Sequence, residues 1–560
     1  MENNNKRFSA NLRMKNLEEM SSSKLDILII GGGITGSGIA LDAVSRGYKV
    51  GLVEKQDFGS GTSSRSGKLI HGGLKYLKQG DLPVIREVGR ERAIVHENSK
   101  HLVIPVQMLF PIVKNGSFNK VTLKIGLASY DKLAGVKKEE RHYMLTKKEV
   151  FEQEPLLNDE TVSGGGMYIE YRTDDSRLTL EVAKTAHEHG ALLCNYAEVI
   201  DIIKDQQGQA IGVRVKEMTT GRTFEIFAKY IVNAGGPWVD MVRQLNGPIS
   251  GKRIHLAKGI HLVVPFSRFP VNESIYFDAA GRMIAVVPRD GCTYIGSTET
   301  DYHDDLDDVR VDQEDVDYLL DCINGMFPTV KLTEQDITSS WAGLRPLIQE
   351  EGKQAAELSR KDEIFEADSG LITIAGGKLT GYRKMAERVL DYIINKGELA
   401  PSPSQTAEIK LTGGKFNHYE ELLHLSKSAL LEFLHFDITE ELVKEYFYRY
   451  GTNTPKLFNI MKELISNETN EHKEFKQIAA AAEILYTMEH EMVVRLTDFF
   501  DRRTGYLLFN RNMIPEIIDV VIAHFSKELN LSEKQIELEK QLLNYEFHKR
   551  LDFLSSKTHS

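Results

Sequence analysis

The sequence predicts a mixed α/β protein in which a parallel, helix-flanked sheet is interrupted by a mostly antiparallel domain and followed by an all-helical one. Three observations predict it. The apolar run Asp26-Ile-Leu-Ile-Ile30 enters Gly31-Gly32-Gly33-Ile34-Thr35-Gly36 and then the helical pattern Ile39, Ala40, Ala43, Val44. Alternating apolar stretches such as His261-Leu-Val-Val-Pro265 and Met283-Ile-Ala-Val-Val287 read as antiparallel strands. Beyond about residue 415 the apolar positions recur at three and four spacing, as in Ile478 to Leu485.

The first element is a strand, a tight turn and a helix start with glycines spaced G-x-G-x-x-G. Gly31 permits the turn, Gly33 lets the backbone approach a pyrophosphate at the helix N-terminus, and Gly36 with Ala40 lets helix and strand pack closely. The next strand, Val50-Gly-Leu-Val53, ends on Glu54, 18 residues after Gly36, where a carboxylate accepts hydrogen bonds from an adenosine ribose. This is the dinucleotide site of a Rossmann-like domain. Its further strands are expected in Ala191 to Ile203, Tyr230 to Ala234 and Leu371 to Ala375, so the domain is discontinuous: residues 24–75, 171–249 and 341–395. Residues 76–170 and 250–340 form the inserted substrate domain. A Pro/Ser-rich linker at 396–414 leads to the helical domain, 415–560.

Composition bounds the rest. At 560 residues with 41% hydrophobic and 27% charged side chains, two to four globular domains are expected. Cys194, Cys292 and Cys322 lack metal or redox spacing, so neither a zinc site nor a disulfide framework is expected. A net charge of −11 argues against a nucleic-acid binder, and an anionic substrate must find a local basic pocket. No apolar run reaches 18 residues, and the polar residues 1–23 read as a disordered leader rather than a secretion signal. The chain is expected in the cytoplasm, free or on a membrane surface.

The loop after Glu54 carries Thr62, Ser63 and Ser64, hydroxyls suited to wrapping a polar ligand. It runs on through Ser66-Gly-Lys68-Leu69-Ile-His71-Gly-Gly-Leu-Lys75-Tyr76-Leu77, which places a titratable base four residues before a cation. This stretch resembles the FAD-dependent glycerol-3-phosphate dehydrogenases, whose motif reads S-x-K-L-I-H-G-G-L-R-Y-L; Lys75 stands where the family has Arg and lacks its bidentate fork. Further matches are Asn233-Ala234-Gly235-Gly-Pro-Trp238, Lys258-Gly-Ile-His261, Gly343-Leu-Arg345-Pro346 and Gly376-Gly377-Lys378-Leu379-Thr380-Gly-Tyr-Arg383.

The resemblance implies FAD as cofactor and oxidation of sn-glycerol 3-phosphate to dihydroxyacetone phosphate, with a quinone as electron acceptor. It further implies His71 or His261 as the base and Lys75, Tyr76, Arg345, Lys378 and Arg282 around the substrate. FAD would be held by Gly31, Gly33, Gly36, Glu54, Thr62, Ser63, Ser64, Lys68, Leu69, Asn233, Ala234, Gly235, Trp238, Gly376, Gly377, Leu379 and Thr380. A single G-x-G-x-x-G unit fits a flavin that stays bound through the cycle. The alternatives are an oxidase passing electrons to oxygen, an amine or amino-acid oxidase, and a non-catalytic flavoprotein. Residues 118–138 interleave lysines with apolar residues, a pattern open to two readings: a helix covering its own domain or one lying on anionic lipid. A homodimer is a further expectation.

Overall fold

The computed structural model describes residues 7–71, 82–114, 116–279, 281–349, 361–418, 420–422, 424, 428, 439–467 and 474–555. Lys75 and Tyr76 lie outside the described residues.

Leu25–Ile30 sits at the centre of the first sheet. It pairs in parallel with Val50–Val53 on one side and Thr223–Asn233 on the other, and Leu192–Cys194 and Ile372–Ala375 continue the parallel order outward. Glu363–Glu366 closes one edge antiparallel to Ile372–Ala375. The central strands read as unbroken apolar runs because helices cover one face and further packed side chains the other. Helix Ile34–Ser45 lies between Asp175–Glu188 and Tyr382–Ile394 and contributes Ile39, Ala40, Leu41 and Ala43 to the main core. A methyl group at Gly36 would stand 1.9 Å from the carbonyl oxygen of Gly31, which is why the helix can start so close to the strand.

Among the described residues the second sheet has ten strands and is mostly antiparallel, with one parallel pair between Ser274–Ala279 and Ile104–Val113. Its axis is Ile254–Pro265, flanked by Cys292–Gly296 and by Ser339–Ile348. Side chains alternate strictly across it. Ile260, Leu262 and Val264 join Ile284, Val286 and helix Gln313–Met326 in one core; Val263 and Val287 turn to the other face, toward Tyr294 and Trp341. The tail is helical as expected, with Glu440–Tyr450, Thr454–Asn467, Phe475–His490, Ile514–Glu528 and Glu533–Lys549 built around two apolar clusters.

Three boundaries differ from expectation. Residues expected as a disordered leader form helix Arg13–Ser22, which buries Leu17 and Met20 against Leu25 and Leu28. Arg13 there pairs with Glu217 at 2.5 Å, a partner 204 residues away that local composition does not reveal. Ser339–Ile348, assigned to the nucleotide domain from residue 341 on, instead pairs with Ile254–Pro265 along its whole length. The 396–414 segment is no loose tether: Leu399 and Leu411 enter the main core, and Tyr48 Oη and Asn98 Nδ2 donate to the carbonyls of Ala400 and Thr406.

Helix Lys120–Ala134 covers its own domain through Leu123, Leu127 and Tyr130, and leaves Val121 and Ile125 66% and 61% exposed on the opposite side. Among the described residues, no helix is long and apolar enough to cross a membrane, and no cluster of side chains is arranged to hold a metal ion.

Candidate functional site

A cavity of about 570 Å³ opens along the C-terminal ends of the parallel strands, where ligands bind in this class of sheet. Of the residues expected to contact ligand, Gly31, Gly33, Glu54, Thr62, Ser63, Ala234, Gly235, Trp238, Gly376, Gly377, Lys378 and Leu379 line it. Gly33 caps helix Ile34–Ser45, and Ser63 Oγ accepts from the Ile34 N–H at 2.9 Å, so a hydroxyl already stands where a helix N-terminus favours phosphate. The Glu54 carboxylate accepts from the N–H groups of Gly32 (2.6 Å) and Gln56 (2.8 Å). Burial raises its pKa above the usual value, against the pull of those two donors. A carboxylate has about four lone-pair sites, so Glu54 can fix the glycine turn and still accept from a ribose. At the far end the turn Gly376–Gly377 leads through Leu379–Gly381 into helix Tyr382–Ile394. Two helix starts facing one elongated cavity, with a carboxylate at one end, fit an FAD.

Other expected contacts lie behind this lining. The Lys68 ammonium is buried 2.5 Å from Asp175 and also donates to the Ser64 carbonyl, so its side chain serves the loop's own structure. Leu69 begins a short strand against Arg172 and Tyr171. Asn233 donates to the Val239 carbonyl and accepts from the Gly235 N–H, which fixes the 235–238 turn rather than presenting the amide to a ligand. The Thr380 hydroxyl donates to the carbonyl of His71 at 3.3 Å and so ties the His71 backbone to the end of the cavity at Leu379.

The second sheet reaches the cavity through Pro346, while His261 and Arg345 stand behind its lining. His261 and Arg345 project from neighbouring strands toward the same face: His261 is in register with Trp341, and Arg345 with Ala257. Glycines make the room. A Cβ at Gly259 would lie 2.5 Å from the Arg345 guanidinium, and one at Gly296 would lie 2.0 Å from His261 Cδ2. The Arg345 guanidinium donates to Ser297 Oγ at 2.7 Å and to the Thr298 carbonyl at 3.1 Å. The His261 imidazole stacks on Trp341 with centroids 4.6 Å apart and planes 8° from parallel, and Trp341 Nε1 donates to the Ser66 carbonyl of the cofactor loop. Thr62 Oγ1 donates to the Leu344 carbonyl, and Pro346 lines the dinucleotide cavity, so loop, strand and cavity meet at this point.

His261 is buried, and its Nδ1 has no hydrogen-bond partner among the described residues. Burial lowers its pKa well below the ordinary 6.5, and the Arg345 and Lys68 charges lower it further. A neutral imidazole beside a guanidinium is able to take a proton from a substrate whose anionic end the guanidinium holds.

Arg282 does not belong here. It shares the parity of Ile284 and Val286, faces helix Gln313–Met326 and lies 5.4 Å from the Tyr318 ring centroid, on the opposite side of the sheet from His261. Lys258 likewise points to that side and pairs with Asp312 and Asp315. Trp341 and the strand glycines Gly259 and Gly296 were not expected at the site. Isolated glycines inside strand patterns were the available signal, since they mark close approach of other groups.

The C-terminal domain also reaches this region. Asp57, in the cofactor loop, accepts from Arg502 and Arg503, and burial alone would raise its pKa, but the two guanidiniums hold it at about 2. Arg65 of the same loop donates to Asp501 at 2.9 Å.

Residues 26–383 match the family model "FAD dependent oxidoreductase", and residues 404–536 match "C-terminal domain of alpha-glycerophosphate oxidase". The aerobic glycerol-3-phosphate dehydrogenase of Bacillus subtilis is 45% identical over 549 residues, 97% of this chain and 98% of that one. A crystal structure of the glycerol-3-phosphate dehydrogenase from Bacillus halodurans complexed with FAD superimposes with a TM-score of 0.83 at 41% identity, covering 98% of this chain and all of the other. The L-alpha-glycerophosphate oxidase of Mycoplasma pneumoniae shares the fold, with a TM-score of 0.54 at 21% identity over 71% of this chain and 99% of its own.

Proposed function

We infer, since this chain belongs to the FAD dependent oxidoreductases and among them to the aerobic glycerol-3-phosphate dehydrogenases, that it oxidises sn-glycerol 3-phosphate to dihydroxyacetone phosphate and delivers the electrons to a quinone. Bound FAD supplies the hydride acceptor. The observation that carries the reading is the placement of a neutral His261 and a cationic Arg345 side by side on one sheet face, against the loop that closes the dinucleotide cavity.

In this reading Arg345 binds the phosphate, with Lys378 at the cavity's end as a second cation. The secondary alcohol then lies at the imidazole, and His261 Nε2, on the side of Gly67, takes the C2 hydroxyl proton as the C2 hydrogen leaves as hydride. A phosphate dianion on Arg345 offsets one of the two charges that depress the His261 pKa, so substrate binding strengthens the base it needs. His71, whose carbonyl is held by Thr380, is the second candidate for the proton, and replacing each histidine by Asn separates the two.

A quinone acceptor brings the enzyme to a lipid surface. Val121 and Ile125, exposed on a helix that also carries Lys120, Lys124 and Lys132, give such a surface apolar contact beside basic charge. Rapid-mixing reoxidation tests the acceptor: the substrate-reduced protein should reoxidise faster with a soluble quinone analogue than with air-saturated buffer. Faster reoxidation by oxygen, with stoichiometric hydrogen peroxide, would assign the oxidase reaction instead.

A further inference from the structure

Trp341, against which His261 stacks, stands on an edge strand. Among the described residues Ser339–Ile348 pairs with Ile254–Pro265 alone, so its outer side is covered by something other than the sheet. That cover is the C-terminal helical domain. Leu508 joins Val263, Val287, Tyr294 and Trp341 in one apolar cluster, and Phe509 meets Trp341 edge-on, with centroids 6.0 Å apart at 74°. Ser339 Oγ donates to the Leu507 carbonyl at 2.8 Å, and Arg511 donates to the Thr338 carbonyl at 2.7 Å, so the segment is stitched to the same strand on both sides of Phe509. The Phe509 ring is itself held: the Arg289 guanidinium lies 4.2 Å from its centroid and is paired with Asp174 at 2.8 Å. A few residues upstream, Arg502 and Arg503 grip Asp57 and Asp501 grips Arg65, both in the cofactor loop.

The contacts therefore form a continuous column: Phe509 edge-on to Trp341, Trp341 stacked on His261, and His261 over Gly296, with Tyr294 beside all three rings. Close-packed aromatic side chains transmit displacement because no void absorbs it. With its Nδ1 lacking a hydrogen-bond partner among the described residues, the His261 ring has packing as its principal visible support. We propose that Phe509 is a positioning residue for the proton transfer, contributed by the C-terminal domain and acting on His261 through Trp341. The proposal rests on the reading of His261 as proton acceptor.

The test uses full-length holoenzyme and the rate at which saturating sn-glycerol 3-phosphate bleaches the flavin anaerobically. F509A and F509M should lower that rate about 10-fold or more, by analogy with the cost of small misplacements in active sites, while KM, FAD content and melting temperature change little in F509M. Tryptophan emission should shift as well, because Trp341 is one of only two tryptophans in the chain. In a Trp341→Leu background the Phe509 change should cost much less, since the closer of two aromatic links is cut; Tyr294, 6.3 Å from Phe509 and 6.4 Å from His261, is the other. Equal losses in both backgrounds, or an unchanged rate in folded F509M, would overturn the proposal. F509M carries the test if F509A fails to fold, because methionine keeps the apolar volume and removes the ring. A His261→Asn variant that bleaches at the wild-type rate would instead refute the reading of His261 itself.

Discussion

Adding one methyl group at Gly296 probes the role of His261 without touching its chemistry. Gly296 lies in register with both His261 and Ala285, and a Cβ there would stand 2.0 Å from His261 Cδ2 and 2.6 Å from Nε2. Carbon atoms settle at about 3.5 Å or more, so the imidazole must retreat by about 1.5 Å. Trp341, stacked on the ring, limits how it can retreat without disturbing the column. Overpacking of this kind costs roughly 1–3 kcal/mol, a tolerable part of a domain's stability, whereas a 1 Å misplacement at a reacting centre can cost 10²-fold in rate. Gly296→Ala should therefore remain folded and yellow while its anaerobic bleaching by sn-glycerol 3-phosphate slows by about 10² or more. A folded, FAD-loaded Gly296→Ala that bleaches at the wild-type rate would refute the placement of His261 at the reacting carbon and turn attention to His71.

Other perturbations separate the remaining roles. Arg345→Ala should reduce kcat/KM for sn-glycerol 3-phosphate by about 10² to 10⁴ while FAD stays bound, and Arg345→Lys should recover part of the loss, because lysine keeps the charge but not the fork. Steady-state kinetics with FAD content measured on the same sample checks both. Glu54→Ala removes the acceptor of two backbone N–H groups in the glycine turn and should weaken FAD binding about 10-fold or more, seen as flavin lost on dilution and gel filtration. Stability should also depend on pH through His101 and His490, whose pKa values burial holds at about 4. An unfolded histidine titrates near 6.5, so between those values the unfolded chain binds more protons; stability is fully present above pH 6.5 and falls as pH drops toward 4. Urea unfolding at pH 7 and pH 5 should show the loss, and His101→Leu should flatten it.

The parts of this molecule that were legible in the sequence are those set by local spacing. The turn Gly31 to Gly36, the acidic residue ending the next strand and the turn Gly376–Gly377 each place themselves, because backbone geometry dictates both the residue type and its neighbours. Arg345 and His261 became candidates by motif, yet their adjacency depends on the pairing of Ser339–Ile348 with Ile254–Pro265, which no local pattern encodes. The same gap put residues 341–348 in the nucleotide domain, although they pair with Ile254–Pro265 of the second sheet. Arg282 was misplaced by parity: one residue's shift along its strand turns a side chain to the other face, and nothing in Arg282-Met-Ile-Ala marks which face meets the helix. Helix Arg13–Ser22 was hidden for a different reason. Its polar surface looks disordered until Glu217 and the carbonyls of Asn195 and Tyr196 accept from Arg13. The clamp of Arg502 and Arg503 on Asp57 spans 445 and 446 residues and belongs to the same category.

The central claim is that sn-glycerol 3-phosphate reduces the bound flavin directly, with its phosphate required for the fit. Anaerobic titration of the holoprotein, followed by visible absorbance, tests it most directly. Bleaching is expected with sn-glycerol 3-phosphate at about one equivalent per flavin, the stoichiometry of a two-electron transfer, and none with glycerol or amino acids at the same concentration. A flavin that stays yellow with sn-glycerol 3-phosphate, or bleaches as readily with glycerol, would contradict it.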